Sequence, residues 1–483
     1  MTRSLEIDMA LWASSDALRG VVEPHTFGKC ALAILFLKYV SDVASDQPRS
    51  TPQRFVLPAC ADFQSLLENR RLPGNGARID AALSELQRAN PEKFGGLFAD
   101  VRFSPRSIAD VHAQDNVLAK VLEIIGSDTL DLRPSRVEER DVVGAFTFLV
   151  NTLAFESHSD AGELYTPSEV SSLMAQLVDP RPGDSLYDPV CGSSSLLLTC
   201  ARLIQERHNS REYEICGQDI NYTAWMLSKI NAFLHGEDRH RIVCGDTLRN
   251  PLLLGKDGGL ERFDVIVANP PFSLSEWGWE QAAGDSFGRF RRGIPPRSRA
   301  DYAFILHMIE SMNPDTGRMA VVASHGVLFR GAAEADIRKN LIESNLLDAV
   351  IGLPPKLFHN TAIPTVILCF RAKRSDDDSV LFIDASRDFA PARKRNELRE
   401  SDIQRVITAW QRRAGFPGYA TIVTRSQIAA NDFNLSIPLY ISAAAEPRID
   451  LDTLARKQRE LDTELTAIRR EIESRLQQLT RAT

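Results

Sequence analysis

Apolar positions recur with two different periods along the chain, and the change of period divides it. From about Leu5 to Phe155 the spacing is helical. Phe27, Ala31, Ile34, Leu35 and Leu37, with Lys38 and Asp42 interleaved, form the apolar stripe of an amphipathic helix. Ile79 to Leu86 and Val117 to Ile125 repeat the pattern, and clustered Gly and Pro predict turns at Leu72 to Gly76 and at Ser104-Pro105. No residue constellation in this stretch suggests chemistry. Residues 1–155 therefore read as a helical domain for packing, DNA-backbone contact or a partner.

Near Gly162 the texture shifts to short, continuous apolar runs. Strands are expected at Ser185 to Asp188, Tyr213 to Gln218, Arg241 to Cys244, Phe263 to Ala268, Arg318 to Ala323 and Leu347 to Leu353. Between them the helices Leu196 to Leu203, Tyr302 to Met312 and Ala332 to Asn345 are predicted, and Thr365 to Phe370 with Val380 to Ile383 are expected to close the sheet. Runs that are apolar at every position suit strands buried on both faces, so residues 156–445 read as one α/β domain with a largely parallel sheet. In residues 446–483 a 3-4 spacing of Leu451, Leu454, Gln458, Leu461, Leu465, Ile468, Ile472, Arg475 and Leu479 makes a coiled-coil stripe. Its partner is either this chain's own helices or another subunit.

The strand tips carry the candidate chemistry. Asn269-Pro270-Pro271-Phe272 follows the run Phe263 to Ala268, and two consecutive prolines force the chain out of the sheet in a rigid loop. Such a loop offers an amide, a carbonyl on a residue without an N–H, and a flat aromatic face. That set suits a planar, amine-bearing ring: Asn269 Oδ1 and the Pro270 carbonyl accept from the amine, and Phe272 stacks on the ring. A proline-rich turn with a core Phe is the plainer alternative. Upstream, Asp188 ends a strand and leads through Pro189, Val190, Cys191, Gly192, Ser193, Ser194 and Ser195 into a helix, a small-residue cradle of the nucleotide type. It is neither a GxGxxG loop nor a Walker loop. Asp219 at the next tip is suited to accept from ribose hydroxyls, and Asp246 follows the third strand; a solvated surface Asp is the alternative at 219. Gly162-Glu163-Leu164-Tyr165-Thr166-Pro167 opens a further helix, with Thr166 as cap, Pro167 first in the helix and Glu169 completing a capping box.

Composition narrows the setting. The chain has 483 residues, 43% hydrophobic and 25% charged, as in an ordinary globular protein of two or three domains. A net charge of -7 argues against a surface that grips nucleic acid everywhere. Contact with DNA must then be local or shared. The one cationic cluster is Arg289, Arg291, Arg292, Arg297 and Arg299, interleaved with Phe287 and Phe290 just after the Asn269 loop. It reads as a DNA or partner contact, with a solvated loop on acidic neighbours as the alternative. Seven cysteines show no CxxC pair and no zinc-like spacing with nine histidines, so free thiols in a reducing cytoplasm are expected. No apolar run approaches the length of a membrane span.

The ordered set of motifs resembles the modification subunit of type I restriction-modification systems, gamma-type adenine-N6 DNA methyltransferases. Besides the segments above, the resemblance rests on Leu11-Trp12, Leu18-Arg19-Gly20, Asn231, Leu234-His235-Gly236, Ala300 to Phe304, Gly326 to Phe329, Leu357-Phe358 and Asn431 to Leu435. It implies a Rossmann-like S-adenosylmethionine-dependent methyltransferase domain between an N-terminal helical domain and a C-terminal coiled-coil-like helix. It implies S-adenosylmethionine bound by Glu163, Leu164, Tyr165, Thr166, Pro167, Asp188, Gly192, Ser193, Ser194 and Ser195, by Asp219 at the ribose and by Asp246 near the adenine. Asn269, Pro270, Pro271 and Phe272 would hold an adenine flipped out of DNA, with no metal required. The implied partners are DNA, a specificity subunit docked through the C-terminal helix, a second modification subunit and a restriction subunit. The chain departs from the family at Ser194 and Ser195, where glycines are common, and at Asp219, often Glu. A serine at a position requiring φ > 0 costs on the order of 1 kcal/mol.

Overall fold

The computed structural model describes residues 3–18, 27–46, 53–104, 111–138, 141–146, 148, 166–358, 363–374, 378–392, 395–441, 458–459, 461, 463 and 465–468. Its centre is a sheet whose described strands are β1 (Ser185–Asp188), β2 (Glu214–Asp219), β3 (His240–Cys244), β4 (Val265–Ala268), β5 (Arg318–Ser324), β6 (Leu347–Gly352), β7 (Thr365–Arg371), β8 (Val380–Asp384) and β9 (Ala420–Val423). Their spatial order is β3-β2-β1-β4-β5-β7-β6-β8-β9. β3 through β5 run parallel, so the tips of β1, β2, β3 and β4 all open on one edge. β1 lies between β2 and β4, which makes their junction the point where strand order reverses. Open α/β sheets bind ligands at that point.

Two expectations need correction. Thr365 to Phe370 does not close the sheet: β7 inserts in its interior and pairs antiparallel with both β5 and β6. The link from Leu353 to Pro364 is bounded by prolines and too short to lay a crossover helix on the sheet, so the strand returns antiparallel. The edge is instead β9, a short strand paired antiparallel with β8. Its four residues, Ala420 to Val423, carry too little apolar pattern to stand out in sequence.

The alternation of side chains along the strands builds two cores. Leu186, Ile215, Val265, Val267, Ala320 and Val322 face one way. There they meet helices α5 (Ser168–Val178), α6 (Ser195–His208), α7 (Tyr222–Leu234) and α10 (Glu400–Arg412). Tyr187, Cys216, Ile266, Met319 and Val321 face the other way, against α8 (Asp301–Glu310) and α9 (Ala333–Glu343). Each fully buried aliphatic side chain contributes about 1.5–3 kcal/mol, so both layers are held firmly.

Helices α1 (Arg3–Leu18), α2 (Phe27–Asp46), α3 (Asn75–Ala89) and α4 (Val111–Ile125) form the expected N-terminal helical region. Its apolar residues continue into the first core. Phe233 of α7 receives Phe36, Phe55 and Phe94 at ring-centroid distances of 5.7, 5.6 and 5.0 Å. Arg54 covers the same ring at 4.0 Å and forks onto Asp238 at 2.9–3.0 Å. The division expected near residue 155 lies outside the described residues, as does most of the C-terminal stripe. No helix among the described residues is long and apolar enough to cross a membrane.

Candidate active site

A cavity of about 560 Å³ opens at the carboxyl edge of the sheet. Asp219, Asp246 and the whole Asn269-to-Phe272 loop line it together. β4 is buried at every position, which fixes Ala268, and the two prolines then carry Asn269 away from the ladder without backbone donors. Asn269 Oδ1 is buried and accepts no hydrogen bond from any described residue. An unsatisfied buried acceptor costs about 1–3 kcal/mol, and a donor brought to this oxygen by a ligand would relieve that cost. Phe272 meets Phe358 edge-on at 6.0 Å, leaving a partly open aromatic slot beside that acceptor.

The side of the cavity nearer β1, β2 and β3 is built from acids and backbone. Asp219 Oδ2 accepts from the Gly192 N–H at 2.8 Å and Oδ1 from Asn221 N–H at 2.8 Å, tying the loops after β1 and β2 together. Burial raises the Asp219 carboxyl above its ordinary value against those two hydrogen bonds. Asp188 is raised much further, chiefly by burial and secondarily by the Asp219 charge, while the Val190 N–H opposes the shift. Asp246 Oδ1 accepts from Leu248 and Arg249 N–H at 2.9 and 3.0 Å, shaping the loop after β3. Thr247 Oγ1 donates to the Pro189 carbonyl at 2.6 Å and joins that loop to the β1 loop.

The serine loop is internal rather than cavity-lining. Ser194 stands at φ +60°, the left-handed conformation that favours glycine, while Ser195 begins α6. The strain at Ser194 is offset by its hydroxyl, which shares a hydrogen bond with Ser228 of α7. Ser193 presents its carbonyl to Asn231 Nδ2 at 3.0 Å, and its buried hydroxyl has no partner among the described residues. The capping box expected at 166–169 does not form. α5 begins at Ser168 with Pro167 at the cap, no side chain caps it, and Glu169 is drawn off to Arg395. Thr166 and Pro167 thus flank the helix start, and Glu163, Leu164 and Tyr165 lie outside the described residues.

A family model for N-6 DNA methylases matches residues 138–448, and one for the HsdM N-terminal domain matches residues 7–125. The chain belongs to the N-6 DNA methylase family. A type I restriction enzyme methylase subunit of Mycoplasma pneumoniae is 27% identical over 96% of this chain and 96% of its own length. One from Methanocaldococcus jannaschii is 30% identical over 65% of this chain but only 55% of its own. The crystal structure of a type I restriction-modification methyltransferase subunit from Streptococcus thermophilus superposes with a TM-score of 0.77 at 26% identity. It covers 91% of this chain and 100% of that one. The fold is therefore that of S-adenosylmethionine-dependent methyltransferases. The residues present fit that cofactor, because Asp219, Asp246 and Asn269 line one cavity, and Asn269 keeps a buried oxygen with no partner among the described residues.

Within this methylase fold the arginine cluster divides. Arg289 is 4% exposed and is not a DNA contact. It forks onto Asp285 at 2.7 and 2.9 Å and donates to the carbonyls of Thr247 and Leu248 at 3.2 and 2.9 Å, bracing the cavity loop from behind. Beside it His307, bonded to Tyr187 Oη at 2.9 Å, is held neutral with its pKa lowered to about 3 by burial and then by the Arg289 charge. Arg292 is likewise mostly buried and paired with Glu310. Arg291, although paired with Glu310 at 2.9 Å, is exposed, as are Arg297 and Arg299. Phe304, Phe358, Trp277 and Thr247 also line the cavity, a role that sequence reasoning does not assign to them. Phe304 and Phe358 do fall in family motifs; the other two carry no local signal.

Proposed function

We propose that this N-6 DNA methylase is the methylation subunit of a type I restriction-modification system. It transfers a methyl group from S-adenosylmethionine to N6 of an adenine flipped out of DNA, at a sequence read by a separate specificity subunit. The observation that carries the proposal is the buried, unpartnered Asn269 Oδ1 in one cavity with Asp219.

S-adenosylmethionine supplies an electrophilic methyl group on a sulfonium. Asp219, already anchored by two backbone N–H groups, keeps lone pairs for the ribose hydroxyls, and Asp246 lies on the same wall for the cofactor's adenine amine. Gly192 acts from behind the wall, its N–H holding Asp219 Oδ2 at 2.8 Å, while Pro189 and Val190 of the same loop line the cavity. The target amine is a weak nucleophile because its lone pair is delocalised into the ring. Asn269 Oδ1 and the Pro270 carbonyl accept its two N–H groups, localise the pair on nitrogen and aim it at the methyl carbon; Phe272 stacks on the ring. Donors and acceptors fixed before the reaction need no reorganisation during it. Bound there, S-adenosylmethionine would give up its methyl carbon to that nitrogen and leave as the neutral thioether, and the amine's surplus proton would pass to solvent. No residue of the loop has to act as a strong base.

DNA grip is shared in this proposal. Arg249 is an exposed cation on the cavity wall, and Arg291, Arg297 and Arg299 are exposed in the segment after the Asn269 loop, with Arg297 paired to Glu280 at 2.9 Å. The net charge of -7 suits an enzyme that borrows affinity from partners in the cytoplasm. Leu461, Leu465 and Ile468 are helical and 50–58% exposed, a stripe suited to docking a specificity subunit. A second modification subunit and a restriction subunit complete the assembly. The test is methyl transfer by the chain with its specificity subunit, offered DNA, RNA and protein, followed by nucleoside mass spectrometry. N6-methyladenine in DNA is expected. Label in RNA or protein only, or no cofactor binding with all components present, overturns the proposal.

A further inference from the structure

At the opposite, amino-terminal edge of the sheet lies a second cavity of about 460 Å³. Five basic side chains, Arg207, Arg371, Lys373, Arg374 and Arg413, and two carboxylates, Asp179 and Asp348, line it with Gln176, Trp410 and Gln411. Asp348 is the second residue of the buried strand β6, and Arg371 ends β7 beside it, so this cavity is separated from the methylase site by the length of the strands. Such a local positive excess is unexpected in a chain of net charge -7.

The arrangement goes beyond what is needed to neutralise one acid. Asp348 is 3% exposed and accepts from Arg371 Nε at 2.9 Å and Arg413 Nη1 at 2.7 Å, with Arg374 Nε at 3.2 Å. A single carboxylate thus holds three guanidinium groups in place. Arg374 is used internally, since it also donates to Asn345 Oδ1 and the Leu347 carbonyl at 2.7 and 2.8 Å and is 4% exposed. Arg371 is different. Among the described residues only its Nε donates a hydrogen bond, its side chain is 44% exposed, and its guanidinium lies 5.6 Å from the Trp410 ring. Its terminal nitrogens are left as a preoriented fork, the geometry that binds phosphate oxygens in bidentate fashion. Lys373, 74% exposed and 3.8 Å from Asp315, and Arg207, 37% exposed and bonded through Nη1 to Asp179 at 2.9 Å, stand on the same wall.

We propose that this groove is a binding site for a phosphate-bearing ligand, gripped by Arg371 and flanked by Lys373 and Arg207, at the end of the sheet remote from methyl transfer. Asp348 and Trp410 position Arg371, and Asp348 keeps Arg413 beside it. The site does not depend on the methylation proposal, because none of its residues touches the other cavity.

Calorimetric titration of the full chain with pyrophosphate at low ionic strength, repeated with Arg371→Gln and Lys373→Ala, tests this. One saturable site is expected, weakened at least about tenfold by Arg371→Gln and by a smaller factor by Lys373→Ala. Thermal unfolding midpoints within about 2 °C of the parent report an intact fold. Lys373 is exposed enough for its variant to remain informative if Arg371→Gln unfolds. Absence of saturable binding, or identical binding by parent and Lys373→Ala together with any folded Arg371→Gln, overturns the proposal. A short duplex lacking any recognition sequence, titrated in parallel, separates the sources of phosphate. If pyrophosphate and duplex weaken together in Arg371→Gln, the ligand is the DNA backbone. If only pyrophosphate weakens, it is a free phosphorylated molecule.

Discussion

The loop after β4 and the arginine segment that follows it look equally functional as sequence, yet the structure treats their polar groups in opposite ways. Asn269 is held out of the ladder with its oxygen buried and unpaired. Arg289, twenty residues on, is buried with Asp285 and two carbonyls around its guanidinium. The first group makes no hydrogen bond to the described residues, which is why it is proposed to meet a ligand; the second is fully engaged by the fold. What separates the two is whether their partners are already inside the protein, and that is a property of three-dimensional satisfaction rather than of residue type.

The sharpest way to break this contrast is Asn269→Ala. Methyl transfer should fall by about 10²–10³-fold or more, the scale found when one preorganised polar contact is removed from a transition state. The unfolding free energy should stay level or rise by up to about 1 kcal/mol, because a buried unsatisfied acceptor disappears. Rapid-quench methylation kinetics and urea unfolding on the same variant report both numbers. A clear loss of stability would mean that Asn269 has a partner inside the fold.

Arg289→Ala should do the reverse. Removing one member of a buried pair leaves Asp285 uncompensated and should destabilise the chain by about 3–5 kcal/mol. Urea unfolding measures this, and the salt dependence of DNA binding should be unchanged in folded protein. A reduced salt slope would return Arg289 to the DNA-contacting set.

Acidification gives a smaller, signed test. Asp219 has its folded carboxyl raised above the ordinary 3.8, and cofactor hydroxyls need it ionised. Affinity for S-adenosylmethionine should be full above that raised value and fall as pH drops through it. The ligand-free fold moves the other way. A carboxyl raised by folding binds its proton more tightly when folded, so stability is greater below its unfolded value and is lost as pH rises through the folded one. Titration calorimetry at pH values descending from neutral toward the ordinary carboxylate range checks the first sign, and Asp219→Asn should bind weakly with a flatter profile. The smallest effect is expected from Ser194→Gly. Relief of the left-handed serine, about 1 kcal/mol, is countered by loss of the Ser228 hydrogen bond, so thermal unfolding should shift stability by less than about 0.5 kcal/mol.

Much of the site is legible in the chain's local pattern. Continuous apolar runs locate the strands that carry it, since burial on both faces leaves no room for polar residues, and the two prolines mark where the chain leaves β4. Asp219 and Asn269 can be paired as one site because parallel strands place their tips on one edge. Other features depend on contacts distant in sequence. Helix α5 starts at Ser168 without its capping box because Arg395, far along the chain, takes Glu169. β9 forms only because the edge of β8 offers it a ladder.

What the sequence determined by itself, then, is the order of elements, the polar groups at their tips and the family to which they belong, all of which rest on local pattern and spacing. The tertiary structure decided which of those groups remain open. It turned Arg289 inward, placed Ser194 at a left-handed position with Ser228 to hold it, inserted β7 between β5 and β6, and gathered three arginines on Asp348. Each outcome turns on whether a buried polar group finds a partner, and the partners come from segments that only folding brings together.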